Sequence, residues 1–128
     1  MMGLDTYASR SPDDVVLTED DERAFLNAGI ELCGGIFSGG DASFRGKVYI
    51  DVVLEVTDVF LNTEWLPPET VREMAAKLNA VSPEELAEIN DIARTRPKDT
   101  PTNADEMMSL QCFFTICANR GLGLIGWF

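Results

Sequence analysis

Lys47-Val-Tyr-Ile-Asp-Val-Val-Leu-Glu-Val-Thr-Asp-Val-Phe60 is the segment on which the fold turns. Read as a strand, it places Val48, Ile50, Val52, Leu54 and Val56 on one face, an alternation that suits a sheet. Read as a helix, it gathers Lys47, Asp51, Glu55 and Asp58 into a narrow polar stripe and leaves a broad apolar arc to bury. The β-branched residues oppose a helix. The odd-numbered face decides the matter, because Tyr49, Val53 and Thr57 would make a poor solvent face for a strand. The helical reading makes the whole chain mainly α.

C-terminal to this segment the helix signals are explicit. Pro67-Pro68-Glu69 opens a helix through Leu78, with Val71, Met74, Ala75 and Leu78 inward. Ser82-Pro83-Glu84-Glu85 combines a capping hydroxyl, a proline at the first helical position and an acidic first turn, and opens a helix to about Arg94. Arg96 to Thr102, with two prolines, reads as a loop. Asn103 caps a long helix to Arg120, with Met107, Leu110, Phe114 and Cys117 on one face. Arg120 suits the negative end of the helix dipole, and Gly121 ends the helix.

On the N-terminal side, Thr18 precedes four acids, Glu19 to Glu22, in the first turn of a helix that runs to about Cys33 and stops at Gly34-Gly35. Phe25, Leu26, Gly29, Leu32 and Cys33 recur at helical spacing. Leu4 to Ala8 reads as an edge strand, and the glycine-spaced Leu122 to Phe128 as a second strand beside it. The expectation is an α+β, mainly helical fold: a single domain over residues 1–128, with about five helices and a small two-stranded sheet formed by the terminal segments.

Composition bounds the function. The 128 residues carry 22 acids against 10 Lys and Arg, a formal net charge of -12. A chain so charged repels the phosphate backbone, so direct nucleic-acid binding is not expected. No apolar run reaches the length of a membrane span, and the N-terminus lacks the cationic and apolar regions of an export signal, so a cytoplasmic protein is expected. The acidity serves solubility or faces a basic partner. Histidine is absent, which excludes Ser-His-Asp and Cys-His nucleophiles and imidazole metal ligands. Cys33, Cys112 and Cys117 form no CxxC pair and read as reduced, mostly buried thiols.

Three features carry candidate chemistry. Cys33 to Lys47 holds five of the ten glycines and closes on Arg45 and Lys47. Its spacing matches neither a Walker A loop nor a dinucleotide fingerprint. A helix starting near Lys47 would put both cations at its positive end, where an anion could be held by Gly39, Gly40, Ser43, Arg45, Gly46 and Lys47; the alternative is a tight structural loop with its cations paired to Asp41 or Asp51.

The acidic pairs Glu55-x-x-Asp58, Glu85-x-x-Glu88 and Glu88-x-x-Asp91 are the second feature. They resemble the Mg²⁺-coordinating ExxE and ExxD pairs of all-helical nucleotide pyrophosphatases, although the order differs. That resemblance implies a Mg²⁺-dependent phosphohydrolase as the alternative function, whereas solvated helix faces explain the same residues without a cofactor. Third, Trp65-Leu66-Pro67-Pro68 and Trp127-Phe128 are either core anchors or an apolar patch for a partner or for self-association.

The opening Met2-Gly3-Leu4-Asp5-x-Tyr7, with Ser43-Phe44-Arg45-Gly46-Lys47 and Gly121-Leu122-Gly123-Leu124, resembles uncharacterised small bacterial and phage-associated proteins that begin MGLDxY. The resemblance implies a prophage context and supplies no chemistry. The residues together point to a non-catalytic binding or interaction module with no cofactor, engaging a basic protein partner or a small anion.

Overall fold

The computed structural model describes residues 5–13, 16–28, 43–61, 63–93 and 104–127. In chain order the elements are β1 (Asp5–Ser9), α1 (Glu19–Ala28), β2 (Ser43–Arg45), α2 (Gly46–Thr57), β3 (Trp65–Leu66), α3 (Pro68–Asn79), α4 (Pro83–Ala93), α5 (Ala104–Arg120) and β4 (Gly123–Trp127). The fold is α+β and mainly helical, with five helices among the described residues.

The decisive segment is helical. Tyr49, Val52 and Val53 on α2 are fully buried, and Ile50 and Val56 pack partly against the same core. The helix stops three residues short of Phe60, and side-chain and backbone geometry explain why. Thr57 Oγ1 donates back to the Val53 carbonyl at 2.6 Å. Asp58 then takes a left-handed conformation, φ 62°, and its N–H bonds the Leu54 carbonyl at 2.8 Å. A residue in that conformation ends a helix.

The terminal strands pair as expected, and do so antiparallel, from Asp5 opposite Trp127 to Ser9 opposite Gly123; the N-terminal strand, expected at an edge, is an inner strand because β2 covers its other side. They are the inner pair of a four-stranded sheet in the order β2-β1-β4-β3. The extra strands are only three and two residues long, too short to show an alternation in sequence. Ser43–Arg45, expected within the glycine loop, is the edge strand β2 and pairs with Tyr7, Thr6 and Asp5.

Helix α5 is the hub of the core and packs against α1, α3 and α4. Met107, Leu110, Phe113, Phe114 and Cys117 along it are all fully buried. Burial of an apolar side chain of this size contributes about 1.5–3 kcal/mol. Phe113 meets Phe25 of α1 with ring centroids 5.0 Å apart. The expected inward residues of α3, Val71, Met74, Ala75 and Leu78, are all buried. Gln111 ties α3 to α5, since its Nε2 donates to the Leu78 and Val81 carbonyls at 2.9 and 2.8 Å.

Helix α5 ends in a tight reversal into β4. Gly121 has φ 69°, and the Leu122 N–H returns to the Cys117 carbonyl at 2.9 Å, the hydrogen bond of a Schellman turn. This turn buries Leu122 completely and sets the start of the central strand.

Helix α1 corrects the sequence reading of its own faces. Leu26, expected inward, is 66% exposed, whereas Asp21, expected only as one of four acids in the first turn, is fully buried. The expected continuation to Cys33 and the stop at Gly34-Gly35 lie outside the described residues, as does the Asn103 cap of α5.

Candidate functional site

Helices α2 and α4 pack side by side and leave a cleft of about 410 Å³ between them. It is lined by Asp51, Leu54 and Glu55 of α2 and by Ile89 and Ile92 of α4. The placement follows from helical periodicity. With Tyr49, Val52 and Val53 turned into the core, Asp51, Leu54 and Glu55 fall on the opposite side of α2. On α4, Leu86, Ala87 and Asn90 are buried, which leaves Ile89 half-buried and Ile92 75% exposed at the rim.

The cleft is therefore apolar at its floor and acidic at its edge. Asp51 and Glu55 stand one turn apart on α2. Glu85 and Glu88, both exposed, sit one turn before Ile89 and Ile92 on α4. Neither helix places a Lys or Arg in its last turn.

Neighbouring contacts hold α2 in place. The Tyr49 hydroxyl donates to Glu106 Oε2 in the first turn of α5. At the other end of α2, Lys77 Nζ donates to the Thr57 carbonyl at 3.4 Å, a cation at a helix C-terminus.

The carboxylates read from the sequence are only partly brought together. Glu55 lines the cleft, and Asp58, Glu85 and Glu88 are exposed. Among the described residues no three His, Cys, Asp or Glu side chains form a group that could hold a metal ion. Of these four acids only Glu55 lines the cleft, and they do not converge in the shared metal cage that the phosphohydrolase reading requires. Apolar Leu54, Ile89 and Ile92 occupy that seam.

Of the anion-site residues, Gly39 and Gly40 lie outside the described residues. Ser43 and Arg45 belong to β2, and α2 starts at Gly46 with no acidic residue in its first turn. The strand commits part of the expected loop backbone to the ladder with β1.

Trp65 is half-buried and stands in register with Ile125, which in turn faces Tyr7 across β1. A Cβ at Gly123 would lie 2.5 Å from the Trp65 ring, so glycine there makes room for the indole against β4. Phe128 lies outside the described residues. The thiols divide by environment. Cys117 is fully buried, and that burial raises its pKa far above the usual thiol range, with the Asp21 charge adding to the effect. Cys112 is half-buried and free. Cys33 lies outside the described residues.

A second cluster of charge was not legible as such in the sequence. The buried Asp21 carboxylate accepts from Arg10 Nε at 2.6 Å and Arg10 Nη2 at 2.8 Å, from Arg120 Nε at 2.6 Å and from the Thr18 N–H at 2.9 Å. The Asp21 N–H returns to Thr18 Oγ1 at 3.1 Å, which closes a reciprocal capping box. Four donors satisfy the acceptor capacity of the carboxylate. The Arg10 hydrogen bond is the main reason that Asp21 is held well below the usual carboxylate range; desolvation opposes it, and the Thr18 and Arg120 bonds add to it. The cluster joins the end of β1, the start of α1 and the end of α5.

The cleft residues Asp51, Leu54, Ile89 and Ile92 were also missed as a site. One signal for them exists: Leu86, Ala87, Ile89 and Ile92 make α4 apolar on more than one side, which is more than a single core face needs. Among the described residues no helix is long and apolar enough to cross a membrane. No family model matches the chain, and neither a curated protein nor a solved structure matches it.

Proposed function

We propose that this chain is a non-catalytic binding module that engages a basic protein partner through the cleft between α2 and α4. The observation that carries the reading is the pairing of an apolar lining, Leu54, Ile89 and Ile92, with the carboxylates Asp51 and Glu55. Apolar contact supplies affinity, and the acids select for positive charge and speed encounter. The net charge of -12 steers basic molecules toward the whole surface, and the cleft gives them one place to be desolvated. The absence of histidine and the apolar residues that line the cleft beside its acids support binding over catalysis.

The test is amide NMR of the labelled protein titrated with hexalysine at low and at physiological salt. Shifts concentrated at residues 51–55 and 89–92, weakening as salt screens the charges, are expected. Shifts spread evenly over all acidic surfaces would overturn the assignment of the cleft. A response to inorganic phosphate at residues 43–47 in place of any response to hexalysine would transfer the site to the glycine-rich segment.

A further inference from the structure

The α2–α4 cleft has a size that would also suit a small molecule, so its volume alone does not name an occupant. Three features of its surface do. First, Ile92 at the rim is 75% exposed. A small ligand seated between the helices would leave most of that side chain in water, whereas an element lying along the cleft would cover it. Second, Asp51 and Glu55 are four residues apart on α2, so their side chains project on one face about 6 Å apart. Cations three or four residues apart on another helix have the same separation. Third, Glu85 and Glu88 are exposed on α4 one turn before Ile89 and Ile92, on the same side of the helix. The cleft therefore has acids on its α2 wall, further exposed acids on α4 one turn from its isoleucines, and an apolar seam between the helices.

We infer that the occupant is an amphipathic basic helix of a partner protein. Its apolar side chains, spaced i, i+3, i+4 and i+7, seat on Leu54, Ile89 and Ile92, and its flanking Lys or Arg residues reach Asp51 and Glu55 on one side and Glu85 and Glu88 on the other. This is the helix-in-groove mode of recognition, with α2 and α4 as the walls. The inference rests on the basic-partner reading above and adds to it the conformation and patterning of the partner.

The test uses two 18-residue peptides of identical Leu and Lys content. One is patterned so that its leucines form a helical face, and the other is scrambled so that they do not. Affinity is measured by isothermal titration calorimetry, and peptide helicity by circular dichroism. The patterned peptide should bind at least tenfold more tightly and gain helicity on binding. Ile92→Ser, which alters an exposed side chain and so leaves the fold intact, should weaken the patterned peptide roughly tenfold and leave the scrambled one unchanged. Asp51→Asn with Glu55→Gln should weaken both and flatten the salt dependence.

Equal affinity for the two peptides, with Ile92→Ser silent, would overturn the helical occupant while leaving a basic partner in place. Binding of neither peptide, together with no response to hexalysine, would remove both readings. A response to hexalysine alone would remove only the helical one.

Discussion

Arg120, at the last turn of α5, donates its Nε–H to Asp21 Oδ1, 99 residues earlier in the chain, at 2.6 Å. With Arg10 on the other side of the same carboxylate, this contact joins β1, α1 and α5. The Asp21 side chain is fully buried, while the Arg10 and Arg120 side chains are 38% and 32% exposed. A buried acid between two part-exposed arginines is a structural clamp, and removing the acid leaves both cations beside a helix N-terminus without their counter-charge.

Asp21→Asn is therefore expected to destabilise the fold by about 2–3 kcal/mol at neutral pH, less than breaking a fully buried pair because both guanidiniums reach solvent. Urea denaturation followed by circular dichroism measures it. A loss under about 0.5 kcal/mol would show that the clamp contributes little.

The same variant has a signed pH dependence. Folding lowers the pKa of Asp21, so its contribution is fully present above the unfolded value of about 3.9 and is lost as pH falls through and below that value. The stability gap between the native chain and Asp21→Asn should be flat from pH 7 to about pH 5 and should shrink below about pH 4. A gap that widened on acidification would contradict the assignment.

Helix α2 tests the one strained backbone position among the non-glycine residues described, Asp58 with φ 62°. Asp58→Gly should stabilise the protein by about 0.5 kcal/mol through relief of the left-handed penalty. Gly121→Ala, at φ 69° with open space around the added methyl, should cost about 1 kcal/mol through conformation alone. Thermal melts of the two variants should move in opposite directions.

The Tyr49 hydroxyl bond to Glu106 links the cleft helix α2 to the hub helix α5. Tyr49→Phe keeps the ring in the core and removes the bond, so a loss of about 1–2 kcal/mol is expected. Hydrogen exchange of the α2 amides should speed up more than that of α3 in this variant; uniform exchange would mean that the bond does not anchor α2 locally.

Thiol reactivity separates the cysteines. In a Cys33→Ser background, one thiol of the native protein should react readily with an aromatic disulfide reagent, and Cys112→Ser should abolish that reaction. Cys117, fully buried and with its thiolate disfavoured by burial, should react only on unfolding.

The main elements were legible because their signals are local. Ser82-Pro83-Glu84-Glu85 marks a helix start by cap, proline and charge together, and the apolar spacing of α3 and α5 names their buried faces. The helical reading of α2 rests on Tyr49, Val53 and Thr57, which would make a poor solvent face for a strand, and the structure agrees because burial of Tyr49, Val52 and Val53 outweighs the β-branched propensity. What the sequence concealed is non-local. Asp21 looks like one of four solvated acids until the fold brings Arg10 and Arg120 to it. Strands β2 and β3 are too short for a period, and their pairing depends on β1 and β4 already lying side by side. Glu55, Asp58, Glu85 and Glu88 suggest a metal cage because their spacing along each helix is visible in sequence, whereas the apolar seam between the helices depends on how α2 packs on α4.

The most direct measurement for the central claim is a charge swap at the cleft. Asp51→Lys with Glu55→Lys changes the formal net charge only from -12 to -8, so the molecule as a whole stays acidic. Binding of the patterned Lys/Leu peptide and of its Glu/Leu counterpart is compared in the native and swapped proteins. The account predicts that the native protein takes the Lys peptide, and that the swapped protein loses at least tenfold affinity for it and gains affinity for the Glu peptide. An unchanged preference for the Lys peptide would mean that overall acidity, and not the α2–α4 cleft, governs the interaction.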